Sequence, residues 1–498
     1  MKDTLNERMK PILDKLNALD RVNVKKISLG KGNNVKVALV YDKDLIDRQI
    51  INDYILKPLM LHVDEDFKAQ RNIAEILIEK YICVDDIILK TNNEEIIDYI
   101  KKGFTAIFVP NSEKIIIINT VKREYRGGIE SPEIETSIRG PKEAFTESIE
   151  SNLSIINRRM KDKNLRIERF IIGERSQTEL AMVYIEDIVD EEIVSEIKRR
   201  LNLIKVDHIK SIAYIEQYIE DNTYTIFPQF YTTERPDVLE ATIIEGRVAI
   251  LMDGSQQGIT APAILPEFFQ TVEDYNTKFM ISTFIRFLRI IAVIIATSST
   301  SIYLTFIKFN VELLPDKLLQ PIIQSRTGIA LNPVMEIICM EIIIEFLREG
   351  GLRLPSKIGQ TLSVVGGIII GDAAIRSHLV SSTTLLIVGV STVATFLIPN
   401  YEMSLAIRFI KFPMLLVTNA LGVLGVTIGW FFILVELCSL DSIGVPYLQF
   451  KKSDMKDMLI RAPLWKMDKR PESIPNQNPI RQTDFRKKFR GGKRRNGK

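Results

Sequence analysis

The sequence is poor in the residues that build disulfide frameworks and metal sites, with only three cysteines and three histidines among 498 residues. The cysteines form no paired motif, which argues against a disulfide scaffold and against a zinc site. They are Cys83, Cys339 and Cys438. The histidines are also widely separated, so each is interpreted as an ordinary polar residue. The sequence therefore predicts no metal and no cofactor.

Catalytic motifs are missing as well. The chain has no glycine-rich phosphate loop of the required spacing, no His-x-x-x-His pair and no Gly-x-Ser-x-Gly elbow. The glycine-rich residues 30–34 lie between two predicted strands and indicate a hairpin turn. The acidic runs at 64–66 and 190–192 are interpreted as solvated helix starts. Calcium binding is the alternative for these runs, but no loop of EF-hand spacing supports it. The chain is not predicted to be an enzyme.

The N-terminal half contains an internal repeat. Residues 24–51 and 167–194 each read as an apolar strand, a glycine turn, a second strand ending in Val-Tyr, and an acidic helix start. The matching positions keep one offset of 143 residues along both copies. The repeat predicts two related α+β subdomains, at about 21–121 and 165–265. Two unrelated domains with similar patterning are the alternative.

The composition divides the chain into five segments. They are 1–121 (first α+β subdomain with an N-terminal helix), 122–164 (linker and connecting helix), 165–280 (second α+β subdomain), 281–440 (membrane domain) and 441–498 (basic tail). In the second segment, Pro141 is expected to open a helix whose buried stripe starts at Ile149. The predicted fold class is a duplicated cytoplasmic α+β domain followed by an α-helical transmembrane domain.

Four long apolar segments define the membrane domain. Over 290–307, 358–375, 379–398 and 412–435 they carry one charged residue between them, Asp372, and each approaches the roughly 20 residues that a span requires. The predicted spans lie near 288–307, 358–375, 379–398 and 412–437. A further apolar helix at 333–348 carries three glutamates, which would be costly against lipid. This helix is therefore predicted to be re-entrant or interfacial.

The distribution of charge sets the predicted orientation. Residues 451–498 contain 16 lysines and arginines against five acids, a net charge of +11 within a total of +3. The first ten residues lack the apolar core of a signal peptide, so the N-terminal part is expected to stay in the cytoplasm. A basic tail after the last span belongs on the same side, which requires an even number of spans. Four spans are predicted, and a sixth, hidden span is the alternative. Nucleic-acid binding is the other interpretation of the tail, but no nucleic-acid partner is predicted.

Several stretches resemble the A subunits of GerA-type germinant receptors of spore-forming bacteria. They are RGPKEAFTES at 139–148, FPQFYTTERPD at 227–237, EGRVAILMDGS at 245–255, FLREGGLRLPSKIGQ at 346–360, IPNYEMSLAIR at 398–408 and GVPYL at 444–448. The chain departs from the family pattern at Asp372, where a neutral amide is usual, and at Arg376.

The resemblance implies a multi-pass protein of the spore inner membrane that takes part in nutrient sensing. Family members act with a permease-like B subunit and a lipoprotein C subunit, and the A subunit is associated with a homo-oligomeric ring that conducts ions. Residues of the shared motifs would then be coupling contacts, although a role in the local fold is the alternative. They are Arg139, Gly140, Pro141, Arg235, Pro236, Pro399, Asn400 and Glu402.

Small and acidic residues of the membrane half are candidates for an ion path, because both suit a cation pore. They are Ser363, Gly367, Gly371 and Asp372, with Glu341 and Glu345 as an acidic vestibule. Helix packing is the alternative role of the glycines. Pairing with basic residues such as Arg348 or Arg353 is the alternative role of the glutamates. A transporter accessory and a pure scaffold are the competing functions.

Overall fold

The structure is a computed structural model. It describes residues 4–16, 22–29, 35–42, 46–63, 72–110, 112–120, 131–132, 134–354, 356–483 and 486, and within these ranges it leaves out the side chains of 4, 5, 7, 14–16, 101 and 356–365. The chain divides into two compact units, residues 1–125 and 126–498. The second unit contains both the second α+β subdomain and the apolar helices.

The first unit is a five-stranded antiparallel sheet with helices on both faces. Its strand order is β1-β2-β4-β5-β3. Alternate residues of β2 face opposite helical layers, so that Val37 and Leu39 pack with Ile55 while Ala38 and Val40 pack with Ile12. The elements are α1 (Thr4–Leu16), β1 (Val22–Leu29), β2 (Val35–Asp42), α2 (Lys57–Leu61, preceded by a wide helical turn at Ile50–Leu56), α3 (Ile73–Lys80), β3 (Ile87–Lys90), α4 (Asn93–Lys101), β4 (Thr105–Phe108) and β5 (Ile115–Ile118).

The second α+β subdomain has a sheet of the same order, β6-β7-β9-β10-β8, again antiparallel and again covered by helices on both faces. The first residues of β6, β7 and β10 lie 143 positions after those of β1, β2 and β5. The two sheets therefore have the same strand order and similar spacing along the chain. The elements are α5 (Ile149–Arg159), β6 (Leu165–Ile172), β7 (Thr178–Ile185), α6 (Glu191–Leu203), α7 (Ile212–Ile219), β8 (Tyr231–Thr233), α8 (Pro236–Ile244), β9 (Val248–Met252) and β10 (Gly258–Ala261).

The connecting helix starts later than the sequence predicts. Residues 141–148 are irregular, and α5 begins at Ile149 with the Ser148 side chain accepting a hydrogen bond from the Ser151 backbone N–H. The expectation that Pro141 opens the helix is therefore wrong. A serine that accepts a bond from the first turn is a stronger start signal than the proline.

Helices dominate the rest of the second unit. They are α9 (Val272–Asn276), α10 (Phe279–Lys308), α11 (Asp316–Arg326), α12 (Pro333–Leu352), α13 (Ser356–Arg376), α14 (Ser382–Thr395), α15 (Tyr401–Leu421), α16 (Val423–Ser439) and α17 (Met455–Met458), with a short two-stranded ribbon, β11 (Asp441–Ser442) and β12 (Val445–Pro446), after α16. By length and apolarity, α10 and α15 are long enough to span a membrane, and α14 and α16 are shorter apolar helices; this comparison covers only the described side chains.

Six of these helices run alternately between two ends of one bundle. At the end next to the second sheet, residues of α10, α14, α15 and α16 pack with Phe227 and Phe268. At the opposite end, Leu304 of α10 packs with Ile337 of α12, Ala374 of α13 and residues of α14 and α15. The order therefore alternates through α10, α12, α13, α14, α15 and α16.

The segment predicted as one span near 412–437 is not one helix, and this prediction is wrong. Gly422 has a φ of +60° and separates α15 from α16, which fold back on each other. At Gly425 an added Cβ would lie 2.6 Å from the Thr418 Cα, so only glycine allows the two helices to approach so closely.

Residues 441–483 are folded onto the second subdomain. The Gln477 backbone N–H donates to the Ile188 carbonyl at 2.8 Å, and the Arg470 Nε donates to the Ile244 carbonyl at 2.7 Å. Asp454 accepts hydrogen bonds from the backbone N–H groups of Glu472 and Ser473. Most of the predicted basic tail is thus part of the folded unit, and its final basic stretch, residues 487–498, lies outside the described residues.

Candidate functional site

Two glutamates of α12 pair with cations of α15 inside the bundle. The Glu341 carboxylate lies 3.5 Å from the Lys411 Nζ, and both side chains are about 95% buried. The Glu345 carboxylate lies 3.1 Å from an Arg408 guanidinium nitrogen, which is also buried. A buried carboxylate is tolerated when a cation neutralises it, so these pairs allow α12 to lie among apolar helices.

Glu336, one turn earlier on α12, is fully buried and has a different set of partners. Its carboxylate pairs with Arg326 of α11 at 2.8 Å. It also accepts hydrogen bonds from the Ser381 backbone N–H at 3.1 Å and from the Thr384 hydroxyl at 3.0 Å. Glu336 therefore ties α12 to α11 and to the start of α14. We call the three glutamates with Arg326, Arg408 and Lys411 the charged seam.

The partners that the sequence suggested for these glutamates are different in the structure. Arg348 donates a hydrogen bond to Thr395 at 3.3 Å and lies 5.0 Å from the centre of the Phe396 ring. Arg353 pairs with Glu349, one turn away on the surface, at 2.7 Å. In the single chain, Glu341 and Glu345 therefore lie in ion pairs with another helix.

The candidate residues of α13 lie apart from the charged seam. Asp372 pairs with Arg376 on the same helix at 2.8 Å, and both side chains are more than half exposed. A Cβ added at Gly367 would meet nothing within 4 Å, whereas one at Gly371 would lie 3.5 Å from Leu385. The side chain of Ser363 lies outside the described residues. Of the residues proposed for an ion path, Gly367 and Asp372 thus lie outward on α13, Gly371 faces α14, and Glu341 and Glu345 lie on α12 in ion pairs with α15.

Arg235 joins two of the sequence motifs that the resemblance highlights. It is 1% exposed, and its guanidinium pairs with Asp237 at 2.8 Å. It also donates to the carbonyls of Glu135 at 3.1 Å and Pro141 at 2.9 Å, and to the Ser137 hydroxyl at 3.1 Å. Pro236 follows as the first residue of α8. Arg235 therefore holds the linker against the second subdomain.

The Arg139-Gly140-Pro141 turn continues this contact towards the apolar helix α10. The Asn276 side-chain amide, three residues before the start of α10, donates to the Arg139 carbonyl at 2.9 Å. Gly140 has a φ of +138°, and a Cβ there would lie 2.9 Å from the Asn276 amide nitrogen. The turn therefore requires glycine for both its backbone and its contact.

The linker also contributes a buried carboxyl group. Burial raises the pKa of Glu135 to about 7, and the neighbouring Glu234 contributes to the rise. Glu234 itself accepts hydrogen bonds from the backbone N–H groups of Ile134 and Glu135 at 2.7 and 2.8 Å. The linker is thus attached through its backbone as well as through Arg235.

The Pro399-to-Glu402 motif begins α15. The Asn400 side chain caps the helix by accepting a hydrogen bond from the Met403 backbone N–H at 2.9 Å, and Pro399 precedes it. Glu402 lies in the first turn and is electrostatically linked to Glu216 of α7. Burial, and then Glu402, raise the pKa of Glu216 to about 8. This motif thus lies where the second subdomain meets α15.

A second buried charge network at the start of α10 was not predicted from the sequence. Asp274 accepts from Arg289 at 2.7 and 3.0 Å and from Arg286 at 3.2 Å. Arg286 also bonds Asp457 of α17 at 3.0 Å. The available signal is two arginines one turn apart at the beginning of an apolar helix, which requires buried anionic partners.

Among the residues that the structure describes, no group of three or more histidine, cysteine, aspartate or glutamate side chains is arranged to hold a metal ion. The charged groups instead form pairs between helices, and between helices and the second sheet. Such an arrangement joins helices to one another and to the second sheet.

Comparison with known proteins gives a consistent result. The family model described as Bacillus/Clostridium GerA spore germination protein matches residues 9–473. Spore germination protein KA of Bacillus subtilis (strain 168) is 36% identical over 465 residues, which cover 93% of this chain and 85% of that protein. Spore germination protein GerLA of Bacillus cereus is 34% identical, with 96% and 97% covered.

A solved structure also matches: the N-terminal domain of the A subunit of the Bacillus megaterium spore germinant receptor GerK3. It is 29% identical with a TM-score of 0.21, and the match covers 52% of this chain and 95% of that one. The family model matches nearly the whole chain, and full-length relatives are similar in sequence. Both results agree with the family resemblance of the motifs that contain Arg235 and Asn400. The chain belongs to the GerA family of spore germination proteins.

Proposed function

We propose that the chain is the A subunit of a germinant receptor in the spore inner membrane, where it acts with a permease-like B subunit and a lipoprotein C subunit and has no enzymatic activity. The support is membership of the GerA family, together with relatives of similar length that are named spore germination proteins. The site contains paired charges and no catalytic arrangement, which suits a subunit that transmits a conformational signal.

We infer six membrane-crossing helices, with both α+β subdomains and residues 441–483 on the cytoplasmic side. The alternating run of α10, α12, α13, α14, α15 and α16 supports this count. Six is an even number, which puts the positively charged tail on the same side of the membrane as the N-terminal part of the chain, as its charge requires. The charged seam supports a crossing α12, because all three of its glutamates, of which Glu336 and Glu341 are buried, pair with cations.

We also propose that the two α+β subdomains arose by duplication. The support is the shared strand order together with the offset of 143 residues at both ends of β1 and β6, and at both ends of α4 and α8. Unrelated domains can share a strand order, but they have no reason to keep the same offset at several paired strands and helices.

The homo-oligomeric ring and the ion path are proposed on one observation about α13. This helix packs against α12 and leaves Gly367 and Asp372 on an uncovered face. A carboxylate and a small residue on the outside of a membrane bundle are unfavourable against lipid and suit a water-filled lumen between subunits. The α13 helices of neighbouring copies would then line the path.

The test combines subunit mass with ion release. Native mass spectrometry of the detergent-purified chain is expected to give one closed oligomer. Asp372→Ala is expected to slow ion release from triggered spores while the amount of assembled receptor stays unchanged. The matched control is Asp316→Ala, an exposed acid on α11, which should leave release unchanged. A monomer, or normal release from Asp372→Ala spores, would contradict the ring conductor.

A scaffold role is the second candidate, and one observation favours it. Asp372 lies one turn before the end of α13 and is already neutralised by Arg376. A self-neutralised pair at a helix end is compatible with the headgroup region. A closed oligomer in which Asp372→Ala and Gly367→Leu both leave ion release unchanged would favour the scaffold.

A further inference from the structure

An open groove lies where α10 leaves the second subdomain, and nothing in the proposed receptor function uses it. Its volume is about 570 Å³. The lining contains four cationic side chains and three aromatic ones, and no acidic side chain. The cations are Lys278, Arg461, Lys466 and Arg486, and the aromatic residues are Tyr275, Phe279 and Trp465. We call this the basic groove.

The aromatic rings hold the cations in place. Arg486 and Lys466 lie 4.9 and 5.3 Å from the centre of the Trp465 ring. Arg461 lies 5.7 Å from the Tyr275 ring. Cation–π contacts of this kind fix a positive group without neutralising it. The groove therefore keeps its positive charge.

One of these cations is buried and has an unused donor. Arg461 is 3% exposed, and it donates through one guanidinium nitrogen to the Tyr275 carbonyl at 3.2 Å. Its Nε has no hydrogen-bond partner among the described residues. Asp274, next to Tyr275 in the sequence, and Asp457, which accepts from the Tyr275 hydroxyl, are already bonded to Arg286. A buried guanidinium with a free donor, in a groove without acids, fits an anionic ligand.

The position of the groove relative to α10 identifies the kind of anion. Phe279, the first residue of α10, lines the groove, and an exposed apolar stripe starts at Met280 and continues through Phe284 and Phe287. Such a stripe faces lipid tails. The groove therefore lies at the level where the hydrocarbon layer ends, and tryptophan and basic side chains are favoured there. Phosphate at this level belongs to lipid headgroups.

We propose that the basic groove binds the headgroup of one anionic phospholipid, with Lys278, Lys466 and Arg461 contacting the phosphate. The bound lipid would fix the junction between α10 and the folded tail segment at the membrane surface. Basic pockets beside transmembrane helices are known to recognise anionic headgroups. This inference requires the proposed membrane insertion, but it requires neither a ring nor ion conduction.

The chain contains only two tryptophans, Trp430 and Trp465, which makes a local measurement possible. In a Trp430→Phe variant of the full chain, Trp465 is the only tryptophan. The variant is placed in nanodiscs of phosphatidylcholine and phosphatidylglycerol in equal amounts, with either lipid brominated high on its acyl chains. Brominated phosphatidylglycerol is expected to quench Trp465 several times more strongly than brominated phosphatidylcholine.

Removing two cations from the groove should abolish this preference. Loss of one positive group near an anionic surface weakens binding about fivefold. The double variant Lys278→Gln, Lys466→Gln is therefore expected to weaken the binding of phosphatidylglycerol about 25-fold. The control pair Lys210→Gln with Lys452→Gln removes two exposed lysines outside the groove and should keep the preference. Arginine at positions 278 and 466 should restore it, which also shows that the site still folds.

Three results would overturn the proposal. They are equal quenching by the two lipids, an equal loss of preference in the control pair, and displacement of the quenching lipid by millimolar inorganic phosphate, which would identify a site for free anions. A Trp465→Phe variant is the control for failed insertion. Its only tryptophan is Trp430 in α16, and quenching of Trp430 by brominated lipid shows that the chain is inserted in the bilayer. If Trp430 is quenched by neither lipid, then the membrane topology itself is wrong.

Discussion

The ion pair between Glu341 and Lys411 should contribute measurably to the stability of the bundle, and Lys411→Met tests this. The variant keeps the length of the side chain and removes the cation, leaving a buried carboxylate 3.5 Å from the lost charge. Coulomb's law gives about 5 kcal/mol for two unit charges at this distance in an effective dielectric of about 20. Breaking one buried pair typically costs about 3–5 kcal/mol.

We expect a loss at the lower end, about 3 kcal/mol, because the 3.5 Å separation is long for an ion pair and Glu341 Oε1 has no hydrogen-bond partner among the described residues. Replacing both partners, with Glu341→Gln added, removes the unpaired charge. The double variant should therefore be at least about 2 kcal/mol more stable than the sum of the two single changes predicts.

The assay is reversible unfolding of the purified chain in mixed micelles, followed by tryptophan fluorescence. Trp430 reports on the bundle, because its indole N–H donates to Ser298 of α10 at 2.8 Å. The exposed pair Arg353 and Glu349 provides the matched control, and Arg353→Met should change stability little. Strictly additive effects of Lys411→Met and Glu341→Gln would refute the reasoning.

Three further perturbations test the rest of the architecture. Arg235→Lys should destabilise the second unit by about 3 kcal/mol in a thermal melt, because lysine cannot bond three linker groups and a carboxylate at once. Gly425→Ala should prevent the close approach of α15 and α16 and lower expression of folded chain, whereas Gly389→Ala, which meets nothing within 4 Å, should be harmless. The pKa of Glu216 is about 8 in the folded chain, against an ordinary value of 4.5, so the folded chain binds the Glu216 proton more tightly than the unfolded chain does. Protonated Glu216 therefore stabilises the fold; this contribution is complete below pH 4.5 and is lost as the pH rises through 8. Glu216→Gln should therefore flatten the pH dependence of the melting temperature between pH 5 and 8, whereas Glu192→Gln, at an exposed acid of α6, should leave it unchanged.

The α+β half could be predicted well because its signals are local. Strands of period two, turns at fixed spacing and a constant offset between the two subdomains are all readable along the chain. The buried stripe of α5 was also predicted from spacing, and Ile149, Leu153 and Ile156 are buried as expected. The predicted start of α5 was wrong because the Pro141 carbonyl accepts from Arg235 and the Phe145 backbone N–H donates to the Glu234 carbonyl, and these partners are distant in sequence.

The membrane half was predicted less well because hydropathy shows how apolar a segment is and does not show where the chain reverses direction within it. Residues 412–435 contain no charge, so a single span and a tight hairpin of two helices look the same. The deciding feature is one glycine, Gly422, whose left-handed backbone conformation and contact with Phe309 reverse the chain. The glycines at 425 and 429, which face Thr418 and Met414, are the accompanying signal.

The predicted number of membrane crossings depends on whether the carboxylates of α12 are considered alone or together with the cations that pair with them. When each helix is considered alone, Glu336, Glu341 and Glu345 exclude α12 from the membrane. The cations that neutralise the last two, Lys411 and Arg408, lie in an apolar helix some 60 to 70 residues later, and their order is reversed, as antiparallel helices require. Acids at a spacing of four in one apolar helix and bases at a spacing of three in another are therefore a joint signal that the two helices are neighbours.

If α12 crosses and Gly422 divides the last segment, four crossings become six. The parity is unchanged, and so the orientation inferred from the basic tail does not depend on which count is correct.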